Sequence, residues 1–408
     1  MTLEEARALD LAEPLRDARD RFRLPPDTIY LDGNSLGALA AATPGRLAEL
    51  VERQWGDDLI ASWNRHGWID APARVAAKLA PLLGARPDEL LIADSTSVSL
   101  FKLLVAAVRA RPGRSTILSA RDNFPTDLYV AQGVADLLPG IRLATVPADA
   151  IESAIDADTA VVLITHVDYR SAARFDIARV NSAAHAHGAL TLWDLSHSAG
   201  ALELHLDSDQ CDLAVGCGYK YLNGGPGAPA FLFVAGRLQA ELRSPLPGWM
   251  GHAEPFAFEP EHRPAEGIAR FLTGTPSIVA LAALDSGLDS FAGIAMADVE
   301  AKSRALSQAF IAEVEARCGG EVTLASPSDP AARGSHVSFA HPNAYAVVQA
   351  LIERRVIGDF RAPNLMRFGF APLYNRFADV LRAAEILADI LRRRAWDEER
   401  FRTRARVT

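Results

Sequence analysis

Three cysteines in 408 residues, Cys211, Cys217 and Cys318, are too few for a disulfide framework, and their spacing matches no zinc-ligand pattern. They read as buried or idle thiols, and no metal site is expected. Cationic excess is lacking too. A formal net charge of −9 leaves no surplus to neutralise phosphates, which argues against nucleic acid as a partner. A small anionic ligand stays compatible, because a few local cations or helix ends can bind it. No run of about 20 uncharged apolar residues occurs, so no membrane span is predicted. The opening stretch, MTLEEARALDLAEPLRDARDRF, is charged and helix-like and lacks the basic-then-apolar order of an export signal. A cytoplasmic location is therefore expected. Internal repeats, low-complexity tracts and a GxxxxGK[ST] loop are also missing, which disfavours solenoids, scaffolds and nucleotide hydrolysis.

What is present is an ordinary globular composition, 49% hydrophobic and 23% charged, on a chain too long for one small core. Near-continuous apolar runs stand at Ser115–Ser119, Ala160–Val167, Ala189–Asp194, Asp212–Gly216 and Ala230–Val234. Such runs suit strands buried on both faces, and the longer amphipathic stretches between them suit βαβ crossovers. Val98, Leu100, Leu103, Leu104, Ala107 and Val108 form an apolar helical stripe, with Asp94, Ser95, Thr96 and Ser97 just before it as N-cap candidates. A Pro/Gly-rich region (Pro245–Gly251, Pro255–Pro276) breaks the rhythm. A polar helix near Val299–Arg317 follows, and the amphipathic stretch Val380–Arg392 closes the pattern. The expected fold is α/β: a large three-layer domain with a mostly parallel central sheet over residues 50–285, and a smaller C-terminal α+β domain over 286–408. Residues 1–49 are expected to form an N-terminal segment packing on the small domain and on a partner subunit.

Three features carry chemistry. Asp194 ends the run ALTLWD, and an aspartate at the carboxyl end of a buried parallel strand points into the crevice where α/β proteins bind ligands. Alone it is ambiguous, since aspartates after strands also cap turns. Lys220 follows another apolar run inside VGCGYKYLNGGPG (Val215–Gly227), flanked by aromatics and glycines rather than by solvated charges. A purely structural glycine turn stays open on that segment alone. Together, Asp194 and Lys220 stand at the ends of two consecutive runs, hence on one edge of one sheet. Ser95, Thr96 and Ser97 open a helix whose free N–H groups and positive dipole end suit an anion, whether or not they also cap it. A lysine amine, a carboxylate and an anion cradle are what pyridoxal phosphate (PLP) requires of its host.

Ordered motifs across nearly the whole chain resemble the kynureninases, fold-type-I PLP enzymes of the aspartate-aminotransferase superfamily. They are YLDGNSLG (Tyr30–Gly37), DSTSVSLFK (Asp94–Lys102), NFPTDLY (Asn123–Tyr129), LITHVDYRS (Leu163–Ser171), WDLSHSAG (Trp193–Gly200), GCGYKYLNGGPG (Gly216–Gly227), GWMGH (Gly248–His252) and RFGFAPLYN (Arg367–Asn375). The resemblance implies hydrolysis of L-kynurenine to anthranilate and L-alanine in tryptophan degradation, with PLP as cofactor. It implies that Lys220 is the Schiff-base lysine and the base at Cα, that Asp194 pairs with the pyridinium nitrogen and that His197 lies near the ring oxygen. Phe124 is implied to stack on the ring, with Asp127 and Thr165 at its sides. Thr96, Ser97 and Tyr219 are implied to hold the phosphate, joined by Trp249 and Thr275 from the partner of a homodimer. Arg367 is implied to bind the substrate carboxylate, with Asn34 and Ser35 nearby, and Tyr219 to transfer a proton at the γ-carbonyl. Trp63 and Gly274-Thr275 stand where the 3-hydroxykynurenine-preferring branch has a histidine and an asparagine, which resembles the branch preferring unsubstituted kynurenine. The alternatives are another fold-type-I PLP enzyme, of the cysteine desulfurase or aminotransferase kind, and a PLP-binding regulatory module without catalysis. The first needs a reactive cysteine loop and the second a basic DNA-binding segment; neither is apparent.

Overall fold

Seven runs of mainly apolar residues pair into one sheet: β1 (Leu90–Ile92), β2 (Thr116–Ala120), β3 (Arg142–Val146), β4 (Thr159–Thr165), β5 (Leu190–Asp194), β6 (Leu213–Cys217) and β7 (Ala230–Val234). The computed structural model describes residues 1–404. Across the sheet the order is β1-β7-β6-β5-β4-β2-β3. Neighbours are parallel except at β7, which runs antiparallel to both β1 and β6. All residues of β2, β4, β5, β6 and β7 are buried, which is why they read as continuous runs rather than as alternation. Five strands therefore fall within two residues of the sequence reading. The other two escape it for physical reasons: β1 has only three residues, and β3 is a half-exposed edge strand beginning with Arg142.

The connecting helices cover this sheet. Helix α1 (Thr96–Arg109) packs on β4, β5, β6 and β7, α2 (Pro125–Leu137) on α1 and β3, and α3 (Ile177–Ala186) on β5. Ser95 caps α1, its hydroxyl accepting from the Val98 N–H at 3.4 Å.

A second, smaller sheet is antiparallel throughout. Its strands β8 (Thr323–Leu324), β9 (His336–Ala340), β10 (Asp359–Arg361) and β11 (Leu365–Gly369) lie in the order β8-β9-β11-β10. Helices α4 (Met296–Cys318) and α5 (Ala344–Glu353) pack on this sheet, α4 on β9 and α5 on β10 and β11, and both pack on α6 (Phe377–Arg392). The N-terminal segment is shared. Ala6, Ile29 and Leu31 join the small sheet's core, while Leu15, Ala18, Phe22 and Ala38 join the large one. Ile29 and Tyr30 pair in parallel with Val356 and Ile357, and Asp32 bridges Gly369, so residues 33–37 are carried over the end of β11.

Candidate active site

The register of β5 against β6 sets Asp194 opposite Val215, and Lys220 follows β6 by one short turn. Both side chains open into a cavity of about 740 Å³ at the carboxyl ends of the parallel strands. Ser35, Thr96, Ser97, Phe124, Asp127, Thr165, His197 and Tyr219 line the same cavity. Asn34, Trp63, Trp249, Thr275 and Arg367 do not. Arg367 sits directly behind the wall, donating to the Ser35 hydroxyl at 3.0 Å and to the Tyr169 carbonyl at 2.6 Å. Asn34 is buried against Gly369, and Trp63 meets Trp68 edge-on at 5.8 Å. Trp249 is 40% exposed and Thr275 is exposed, both away from the cavity of their own chain.

Lys220 is held among aromatics, its Nζ 5.9 Å from the Phe124 ring centroid and 5.8 Å from that of Tyr219. Its loop is pinned from the N-terminal segment, where the Gly37 N–H donates to the Tyr219 carbonyl at 2.8 Å. A Cβ on Gly37 would stand 2.3 Å from the Lys220 carbonyl, so only glycine allows that approach. Asp194 accepts from the Ser196 N–H at 2.7 Å, and Asp127 from the Thr165 hydroxyl at 3.0 Å. Thr165 is itself fixed by Asn123, which accepts its N–H at 2.9 Å.

Burial dominates the electrostatics. It raises the carboxyl of Asp194, opposed by Lys220, and raises that of Asp127 well above the usual range, reinforced by the Asp194 charge. It also holds His197 well below the usual histidine range, with Lys220 acting in the same direction. The His197 Nδ1 is buried without a hydrogen-bond partner, and its ring lies 5.3 Å from that of His336.

These features fit PLP. Two buried carboxylates share the field of one lysine, so a protonated ring nitrogen would supply the charge they lack. His197 lines the cavity and has a buried ring nitrogen without a partner, which a polar substituent of the ring could satisfy. The opening of α1 offers Thr96 and Ser97 hydroxyls and free N–H groups to a phosphate.

Several lining or supporting residues escaped the sequence reading: Asn123, Tyr169, Ser196, His336, Asp359 and Arg361. Asn123, Tyr169 and Ser196 lie inside quoted motifs but carry no distinctive chemistry. The other three depend on pairings across the small sheet.

Comparison with known proteins places the chain. Residues 299–387 match the family model described as the kynureninase C-terminal domain. A kynureninase of Burkholderia mallei is 50% identical over 415 residues, covering 100% of both chains. Among solved structures, a cysteine desulfurase from Thermococcus onnurineus superposes with a TM-score of 0.78 at 19% identity, over 92% of this chain and 98% of its own. A mutant C-DES carrying glycine covalently linked to its PLP cofactor superposes with a TM-score of 0.80 at 18% identity, over 91% and 99%. These structures share the fold, whereas the full-length identity carries the family: the chain belongs to the kynureninases.

Proposed function

We propose that this chain is a PLP-dependent kynureninase, hydrolysing L-kynurenine to anthranilate and L-alanine by cleavage of the Cβ–Cγ bond. One observation carries the reading: Lys220 and the buried Asp194 close two adjacent parallel strands over a single cavity, in a chain of that family. Lys220 would hold PLP through Nζ, with Asp194 facing the ring nitrogen, Asp127 and Thr165 beside it, His197 near the ring oxygen and Phe124 stacked on the face. Thr96, Ser97 and Tyr219 would hold the phosphate. When bound, PLP supplies an electron sink for negative charge developing at Cα.

The protein's own groups do the rest. Lys220, as a neutral amine beside the substrate, would take the Cα proton as a general base. Tyr219, whose phenol is raised by burial and so stays protonated, donates toward the γ-carbonyl oxygen as water adds there. Arg367 holds the α-carboxylate, with Asn34 and Ser35 beside the substrate.

The desulfurase alternative has no such support. Cys318 is the only cysteine after Lys220; it is buried, and burial pushes its thiol up to about 11. We also propose a cytoplasmic homodimer with shared active sites. Trp55, Leu59, Ile60, Phe256 and Phe258 are all more than half exposed, an apolar surface that a partner would cover. Trp249, edge-on to Phe256 at 5.6 Å, and Thr275 would then reach the partner's phosphate site. By resemblance, Trp63 and Gly274-Thr275 would match the branch preferring unsubstituted kynurenine, through positions that lie outside the cavity of their own chain. Among the described residues no helix is long and apolar enough to cross a membrane.

Lys220→Ala tests the central assignment. The variant should lose the visible absorbance of lysine-bound cofactor and about 10³-fold in kcat/KM. A variant keeping both contradicts it.

A further inference from the structure

Arg367 is 1% exposed, and most of its donors are already committed. Its Nε donates to Asp359 Oδ1 at 2.8 Å and its Nη2 to Asp359 Oδ2, closing a fork on a resident carboxylate. Nη2 also donates to the Ser35 hydroxyl and Nη1 to the Tyr169 carbonyl. Of five guanidinium N–H bonds, a single one on Nη1 is left over. Arg367 alone therefore cannot take a second carboxylate in a fork without giving up a present partner.

A second cation stands beside it. Arg361 Nη2 lies 2.7 Å from Asp359 Oδ2 and 3.5 Å from the Ser35 hydroxyl, and its side chain is 32% exposed. The two guanidiniums thus converge on one oxygen, Ser35 Oγ, which lines the cavity and donates its own proton to Asp359 at 2.8 Å. The arrangement follows from the sheet register, in which Asp359 on β10 stands directly opposite Arg367 on β11. Asp359 neutralises one of the two guanidiniums, and one positive charge is left over for an anion. Asp32 leaves that surplus in place below neutral pH, because burial and then Asp359 push its carboxyl up to about 7.

We propose that the substrate's α-carboxylate is received by Arg361 and Arg367 together, with Asp359 as the positioning residue that holds the two guanidiniums against Ser35, directly behind the cavity wall. This rests on the reading of the site as one for an α-amino acid. Ser35 Oγ marks where a carboxylate oxygen arrives, since both cations already address an acceptor there. Arg361 supplies free donors and Arg367 supplies buried orientation.

The test reads the carboxylate directly. PLP-loaded protein is titrated with L-alanine and with ethylamine, the same skeleton without the carboxylate, and the change in cofactor absorbance is followed. Arg361→Gln should weaken L-alanine at least tenfold while ethylamine changes less than twofold. Arg361→Lys should fall between, keeping charge but losing the fork. Asp359→Asn should weaken L-alanine selectively as well, and the double variant should be no worse than the poorer single one, because both act through one seat. Unchanged L-alanine affinity in Arg361→Gln, or equal weakening of both ligands, overturns the inference. Release of anthranilate from L-kynurenine by the unaltered protein is scored separately. Its absence would refute the proposed reaction, whereas the L-alanine titration still decides the role of Arg361.

Discussion

Burial sets the protonation state of single residues around the cavity, and Asp32 gives the most direct handle on it. Its carboxyl, at about 7, binds its proton more tightly folded than unfolded. The folded state therefore loses stability as pH rises from the ordinary aspartate range through about 7. Asp32→Asn cannot ionise, so it removes that loss. Between pH 5 and pH 8 the melting temperature of the variant should gain about 2–5 °C relative to the unaltered protein. An identical pH trend in both would contradict the buried placement. Residues were legible in the sequence where their chemistry is rare for their position. A lysine between aromatics and glycines, or an aspartate closing an apolar run, is ambiguous by itself, and the two become legible as a pair at the ends of consecutive runs. Asp359 and Arg361 do not, because charged residues on a short strand look like a solvated edge until the register brings Asp359 to Arg367.

Elements were legible where burial is complete. Strands β4 to β7 are buried along their whole length and mainly apolar, so their number and order along the chain follow from the sequence. Their pairing does not, and the reversed direction of β7 is set by the return of the chain after the Lys220 loop. Gly216 shows how closely that pair is fitted. It stands opposite Phe231, and a Cβ there would lie 2.4 Å from the Phe231 ring. Gly216→Ala should cost about 1–3 kcal/mol by overpacking, read as a lower midpoint in denaturant. Adding Phe231→Leu should recover part of the loss. A Gly216→Ala protein as stable as its parent would show that the ring is free to move.

At the scale of the whole molecule, the N-terminal segment links the two cores. Asp10 accepts from the Phe377 and Ala378 N–H groups at 2.7 and 3.2 Å, capping α6, and residues 33–37 bring Ser35 to the arginines and Gly37 to the lysine loop. That long-range role was only partly readable, since YLDGNSLG has a motif's regularity but nothing in it names its partners. If two chains share their sites, co-expressing Lys220→Ala with Trp249→Ala should restore about a quarter of full activity, because half the dimers are mixed and each mixed dimer holds one intact site. Activity no higher than the sum of the separate variants would place Trp249 outside the partner's site. The most direct test of the account adds L-kynurenine to the PLP-loaded protein and follows anthranilate fluorescence while L-alanine is quantified. The two products should appear in equal amounts and vanish together in Lys220→Ala. An unaltered, fully PLP-loaded protein that leaves L-kynurenine intact, or consumes it without forming anthranilate, would contradict the account.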